Sequence, residues 1–211
     1  MPVQRGSVTF SRFRSDPLAK RASDTRRWLA RGLARGAFEP LEVERGEDDR
    51  SAGFVSREDG DSTDFTSGVL EGERALFAFR VDTLRVPAAA VRAELDRWAA
   101  AFVEEHGRPP ARGEKAQQKD LVRHALRLRT APTSRVHDLS FNLKTGELLV
   151  WASSRKLVEE ISAAVEAALE MKLQPRSASA LAVAARIPET ALGPTAELVG
   201  VGAGEVLHVQ A

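Results

Sequence analysis

The sequence predicts an α+β fold, with mixed or antiparallel sheets and about four main helices. Three observations predict it. Apolar residues recur every three to four positions in several stretches, as helices require. Short alternating or apolar runs separate those stretches. The strands and helices follow one another without the regular strand–helix–strand rhythm of a parallel sheet. The 211 residues suit one large domain or two small ones. A composition 43% hydrophobic and 29% charged is that of an ordinary chain able to bury a core.

Residues 8–13 alternate as a strand does. Ser15, Asp16 and Pro17 read as a helix start, and Leu18, Ala22, Thr25, Leu29 and Leu33 follow at helical spacing until Gly36. Residues 39–73 are polar, acidic and rich in Gly, Ser and Asp. They read mainly as loop, with short strands near 38–43 and 53–56. Residues 76–86 read as a strand, with Leu76 and Ala78 among those facing a core. Pro87 opens a second helix striped by Val91, Leu95, Trp98 and Phe102, and Gly107 ends it. Arg108-Pro109-Pro110 is a stiff connector.

A third helix covers about 113–129. Leu121, Val122, Ala125 and Leu128 fall on one side of it, and Arg112, Lys115, Lys119, Arg123 and Arg127 on roughly the other. Two strands, 135–143 and 147–152, are joined by Lys144-Thr145-Gly146, a hairpin turn in which Gly supplies the positive φ. Ser153-Ser154 caps a fourth helix striped by Val158, Ile161, Val165 and Leu169. The tail from Lys172 is rich in Ala, Gly, Pro and Val, with room for a short strand such as 204–210. Three regions result: 1–86 with its acidic loop, a basic helical region 87–134, and a hairpin–helix region with tail, 135–211.

Net charge is +1, but its distribution is uneven. Between Arg5 and Arg35 nine basic residues face two acidic ones. Between Glu39 and Glu73 twelve acidic residues face three arginines. Between Arg108 and Arg135 eight basic residues face two acidic ones. A phosphate backbone responds to local potential, so near-neutrality does not exclude DNA. The basic stripe of the third helix can lie along phosphates; the plain alternative is a solvated face. The arginines at 26, 27, 31 and 35 can do the same, or pair with the acidic block. That block, with Asp48 and Asp49, could be read as nuclease metal ligands, but it lies in a Gly/Ser-rich stretch with no partnering histidine, and a solvated loop explains it better.

No cysteine is present, which excludes disulfides and cysteine nucleophiles. His106, His124, His137 and His208 form no metal-spaced pair, and no GxSxG, Walker or GxGxxG motif occurs. Trp28, Trp98 and Trp151 sit at apolar positions and read as core. No catalytic residue, metal or cofactor is expected. The N-terminus shows no secretory pattern and no stretch is long and apolar enough to cross a membrane, so a cytoplasmic protein without membrane contact is expected.

Several motifs occur in a fixed order. Arg85-Val86-Pro87 opens a helix. Gly107-Arg108 follows, then the basic run from Arg112 through Glu114-Lys115 to Lys119-Asp120. The hairpin Phe141-Asn142-Leu143-Lys144-Thr145-Gly146 leads to Ala152-Ser153-Ser154-Arg155-Lys156 at the head of a helix. Over about 38–175 this set resembles the RdgC family. The resemblance implies an RdgC-like fold and a non-enzymatic protein that binds duplex DNA without sequence preference. It further implies a ring-shaped homodimer around DNA, antagonism of RecA-dependent recombination and a place in the nucleoid, in a family also suspected of exonuclease activity. By match to the family helix, Lys115, Lys119 and Arg123 are the leading DNA contacts. Arg108, Arg112, Arg127 and Arg129 flank them, and Arg155 and Lys156 belong to the second motif. The alternatives are a charged protein-interaction module and, last, a metal-dependent nuclease. The sequence departs from the family where Leu126-Arg127-Leu128-Arg129-Thr130-Ala131 lacks the family's Pro and Phe, and where Phe141-Asn142 replaces its Ile-Asp. Family chains also commonly extend further at the C-terminus, which leaves closure of the ring open.

Overall fold

Alternating apolar residues build a single antiparallel sheet in the computed structural model, which describes residues 9–16, 24–44 and 48–187. The expected strand at 204–210 and the stripe positions Leu18 and Ala22 lie outside the described residues. In chain order the elements are β1 (Ser11–Ser15), α1 (Thr25–Arg35), β2 (Arg50–Val55), β3 (Leu70–Glu71), β4 (Arg74–Thr83), α2 (Ala88–His106), α3 (Arg112–Arg129), β5 (Thr133–Asn142), β6 (Glu147–Val150), α4 (Arg155–Leu169), β7 (Leu173–Pro175) and α5 (Ala178–Ala184). The sheet order is β2-β4-β5-β6-β1-β7, with β3 also on β4, and every strand pair is antiparallel. The α+β class holds.

The strand period of two decides which face is buried. Ala75, Phe77 and Phe79 of β4, Phe54 of β2, Leu139 and Phe141 of β5 and Leu148 and Val150 of β6 share one face. All are buried in one core cluster. Phe54 meets Phe77 and Phe79 edge-on, at ring-centroid distances of 5.8 and 5.4 Å. Helices α1 and α4 cover this face and pack on each other. Leu29 and Leu33 descend from α1, and Val158, Ile161, Val165 and Leu169 from α4, the stripe read from the sequence. The opposite face carries a smaller cluster of Phe38, Val55 and Ala78. There Arg80 holds Asp82 and Asp61 and lies over the Phe38 ring.

Several expectations shift. Ser15 does not start a helix; it is buried in β1, and α1 is instead capped by Asp24, whose carboxylate accepts from Arg27 N at 3.0 Å. No strand forms at 38–43. An isolated parallel bridge, Ala37 to Phe54, brings the chain in, and Pro40 lacks the N–H needed to continue a ladder. Ser154 occupies the N-cap of α4, but its side chain makes no capping hydrogen bond. The strand β3 and the helix α5 fall in stretches read as loop and tail. Of the three tryptophans, Trp28 packs against the core, whereas Trp98 and Trp151 are only half-buried outside it.

The α2–α3 pair is an insertion between two strands that are themselves paired. Thr83 ends β4 directly opposite Thr133, which begins β5. The helices pack mainly on each other. Within α2 only Val91 is buried, and within α3 nothing is. They therefore project from the sheet as a helical hairpin. Pro87 starts it, and Gly107, left-handed at φ 65°, closes α2 with its N–H on Val103 O at 2.9 Å.

Two glycines mark backbone crowding. A Cβ on Gly53 would lie 2.5 Å from Phe38 Cα, and one on Gly32 would lie 2.9 Å from Ala168 O. Gly53→Ala and Gly32→Ala are each expected to destabilise by about 1–3 kcal/mol through forced backbone shifts. Gly113→Ala on α3, where a Cβ meets nothing within 4 Å, is expected to be neutral or stabilising by up to about 1 kcal/mol. Urea denaturation followed by circular dichroism checks all three, and equal midpoints would contradict the packing described.

Candidate nucleic-acid interface

Helix α3 forms from strong helix formers, with Glu114 in its first turn and arginines in its last, which suits the helix dipole. The Glu114 carboxylate accepts from Ala111 N at 2.6 Å and so satisfies an N–H that the helix leaves unpaired. It also takes a two-pronged hydrogen bond from Arg108, at 2.9 and 2.8 Å. Arg108's hydrogen bonds, then the Ala111 amide, hold the Glu114 carboxyl at about 2, well below the ordinary carboxylate range. At the other end Thr130 Oγ1 donates to Leu126 O at 2.7 Å.

Arg112, Lys115, Lys119 and Arg123 lie within one face of α3 by the helical repeat. All four are exposed, and none forms an ion pair or hydrogen bond among the described residues. Lys115, Lys119 and Arg123 rim a cleft of about 500 Å³ between the helices, with Val86, Val91, Leu95 and Trp98 on its apolar side. The basic face thus borders α2, and the side expected to be apolar stays open: Leu121 is 59% exposed and Leu128 46%.

The other sequence-selected cations divide. Arg127 is turned inward, its side chain only 12% exposed, with Nε on Asp49 at 3.0 Å, one Nη on Val43 O at 2.6 Å and the other on Asp48 O at 2.7 Å. It fastens the base of α3 to the acidic segment and is withdrawn from the open row. Arg108 is held by Glu114 and lies over the Phe102 ring at 5.1 Å. Arg129 is exposed, about a quarter turn off the row. Arg155 pairs with Glu159 at 2.9 Å, and Lys156 is exposed without an ion pair.

Among the described residues the acidic block forms no ion pair with the arginines of α1. Arg35 pairs with Glu170 and donates to Ala168 O, and Arg27 pairs with Asp24. Asp59 and Asp64 organise their own turns, accepting from Asp61 N at 3.0 Å and Thr66 N at 2.8 Å. Asp61 binds Arg80. Among the described residues no group of three or more His, Cys, Asp or Glu is placed to hold a metal ion, and no helix is long and apolar enough to cross a membrane.

Sequence reasoning missed a second basic concavity, lined by Arg50, Arg85, Arg135 and Lys156 beside the start of α4. One signal was available. Arg135 and His137 occupy the same alternate positions of β5 as buried Leu139 and Phe141, so polarity at the start of that alternation marks where the helical cover stops.

A family model described as "Putative exonuclease, RdgC" matches residues 16–187. The chain belongs to the RdgC family. This places it in a recombination-associated family, as the ordered motifs implied. No curated protein matches the chain.

Two outcomes follow from this geometry. Arg127→Ala is expected to lower stability by about 1–3 kcal/mol, because it leaves two carbonyls and a carboxylate without their charged donor; an unchanged urea midpoint would contradict the fastening role. The Glu114 carboxyl is lowered in the folded state, so its tie to Arg108 and Ala111 is fully present above the ordinary value of 4.5 and lost as pH falls through about 2. The protection factor of the Ala111 amide, its exchange rate relative to the intrinsic rate at each pH, is therefore expected to fall across that window, and to be low already at neutral pH in Glu114→Gln.

Proposed function

We propose that this RdgC-family chain is a non-enzymatic protein that binds duplex DNA without sequence preference. One observation carries the reading. Arg112, Lys115, Lys119 and Arg123 form an exposed row on a helix that projects from the sheet, with no carboxylate engaging them among the described residues. Charges in ion pairs have little left for a ligand, whereas an unpaired row can displace counterions from successive phosphates. Such contacts position a duplex without reading its bases. Arginines in the row can grip phosphate oxygens in pairs, and the lysines act as point charges.

The same reading takes the working form to be a homodimer that encircles DNA in the nucleoid and restrains RecA-dependent recombination. Exposed Leu121, Leu128 and Val103 on the projecting helices support self-association, since large apolar side chains left in water favour burial against a second surface. The non-catalytic part rests on the acidic block: Asp59, Asp61 and Asp64 serve turns and Arg80 rather than converging on a shared point.

Binding of a blunt duplex should weaken as salt rises, with a log–log slope of about −3 to −4 per protomer for four neutralised phosphates. That is a loss of roughly 100-fold between 50 and 200 mM salt. Lys115→Glu with Lys119→Glu should abolish binding at the higher salt while leaving the urea midpoint in place. A wild-type chain that ignores duplex at low salt would sink this reading and favour a charged protein-interaction module. Magnesium-dependent shortening of linear DNA, lost in Asp48→Asn with Asp49→Asn, would instead establish a nuclease.

A further inference from the structure

The sheet face that forms the core continues past the end of its helical cover. Its row of Phe54, Phe79 and His137 is followed by Ala52, Val81 and Arg135, then by Arg50, Thr83 and Thr133. These last rows form one wall of a cleft of about 790 Å³ beside the start of α4, which begins at Arg155. The first turn of α4, with Ser154 and Lys156, forms another wall.

Four cations, Arg50, Arg85, Arg135 and Lys156, line this cleft with a single carboxylate, Glu160. Glu160 is taken by Arg50 in a two-pronged pair at 2.7 and 2.6 Å. Arg85, Arg135 and Lys156 are exposed and engage no partner among the described residues. His137 directs Nδ1 at the Trp151 carbonyl at 3.4 Å, and its Nε2 has no partner. Three uncompensated cations in a concavity create a strong local positive potential, which favours a multiply charged anion over a lone carboxylate. The Ser154 side chain also leaves the first N–H groups of α4 uncapped in the same cleft.

Arg85 lies in this cleft, while Val86 and Ala88 lie in the cleft rimmed by Lys115, Lys119 and Arg123. The two basic concavities therefore adjoin across 85–88, at the root of the helical hairpin. We infer that the cleft at Arg85, Arg135 and Lys156 is a second phosphate-binding site, and that the backbone of a nucleic acid lying along α3 continues into it. The inference rests on the DNA reading of α3 and assigns that ligand a second point of attachment on the sheet.

Arg85→Gln with Arg135→Gln and, separately, Lys115→Gln with Lys119→Gln are compared in the full-length chain, each pair having no ion pair to lose. The readout is duplex affinity across a salt series, with urea midpoints as the folding control. The cleft pair is expected to bind about tenfold more weakly and to reduce the salt slope by about two, and the helix pair to do the same. A cleft pair with wild-type slope and affinity, beside an impaired helix pair, overturns the second site and leaves the α3 reading standing. The reverse pattern overturns the α3 reading and keeps the cleft. The remaining arm uses adenosine monophosphate as a free phosphate source. If it shifts the amide resonances of Arg135 and Lys156 while the cleft pair binds duplex normally, the cleft serves a small nucleotide and the polynucleotide route is overturned.

Discussion

The ladder between β4 and β5 is the constraint on which the rest depends. Its register runs without a break from Arg74 opposite Asn142 to Thr83 opposite Thr133. Pairing brings the chain back at Thr133 to within one strand spacing, about 5 Å, of where it left at Thr83. Residues 84–132 must therefore run out and return, and two packed helices of 19 and 18 residues do so. The same ladder places Phe77 and Phe79 beside Leu139 and Phe141, the floor on which α1 and α4 settle. Core and projecting hairpin are thus two consequences of one pairing.

Much of this was legible where local chemistry decides. Pro87 and Gly107 bound α2, the Asn142–Gly146 turn sets the β5–β6 hairpin, and the α4 stripe is buried at each of its four positions. What stayed hidden depends on partners distant in sequence. Phe38 leaves its alternating context because a single bridge to Phe54 carries it to the far face of the sheet. Arg127 falls in line with the basic row, yet three acceptors at Val43, Asp48 and Asp49 claim it. No periodicity along α3 encodes those contacts. The exposure of Leu121 and Leu128 is similar, since an apolar stripe predicts burial without saying against what.

Near-neutral net charge conceals a division of labour among the cations. Some are structural: Arg80 with Asp82 and Asp61, Arg50 with Glu160, Arg35 with Glu170. Burial pushes the Asp82 carboxyl up, but the Arg80 and Ser134 hydrogen bonds and the Arg80 charge outweigh it and leave Asp82 lowered. Others engage no carboxylate among the described residues; Arg26 and Arg31 on α1 are among them, as are the row on α3 and the cations beside the start of α4. Many acidic residues sit where turns or structural arginines need them, which leaves the α3 row and the cleft beside α4 without a carboxylate of their own apart from Glu160.

The hairpin's attachment has a mechanical consequence. At 1.5 Å per residue, α2 and α3 extend about 28 Å from a root made of Leu84, Val91 and the Arg127 fastening. A rotation of about 10° at that root would move the Gly107 tip by about 5 Å. The arm is stiff along its length, so any movement at its root is magnified at its tip.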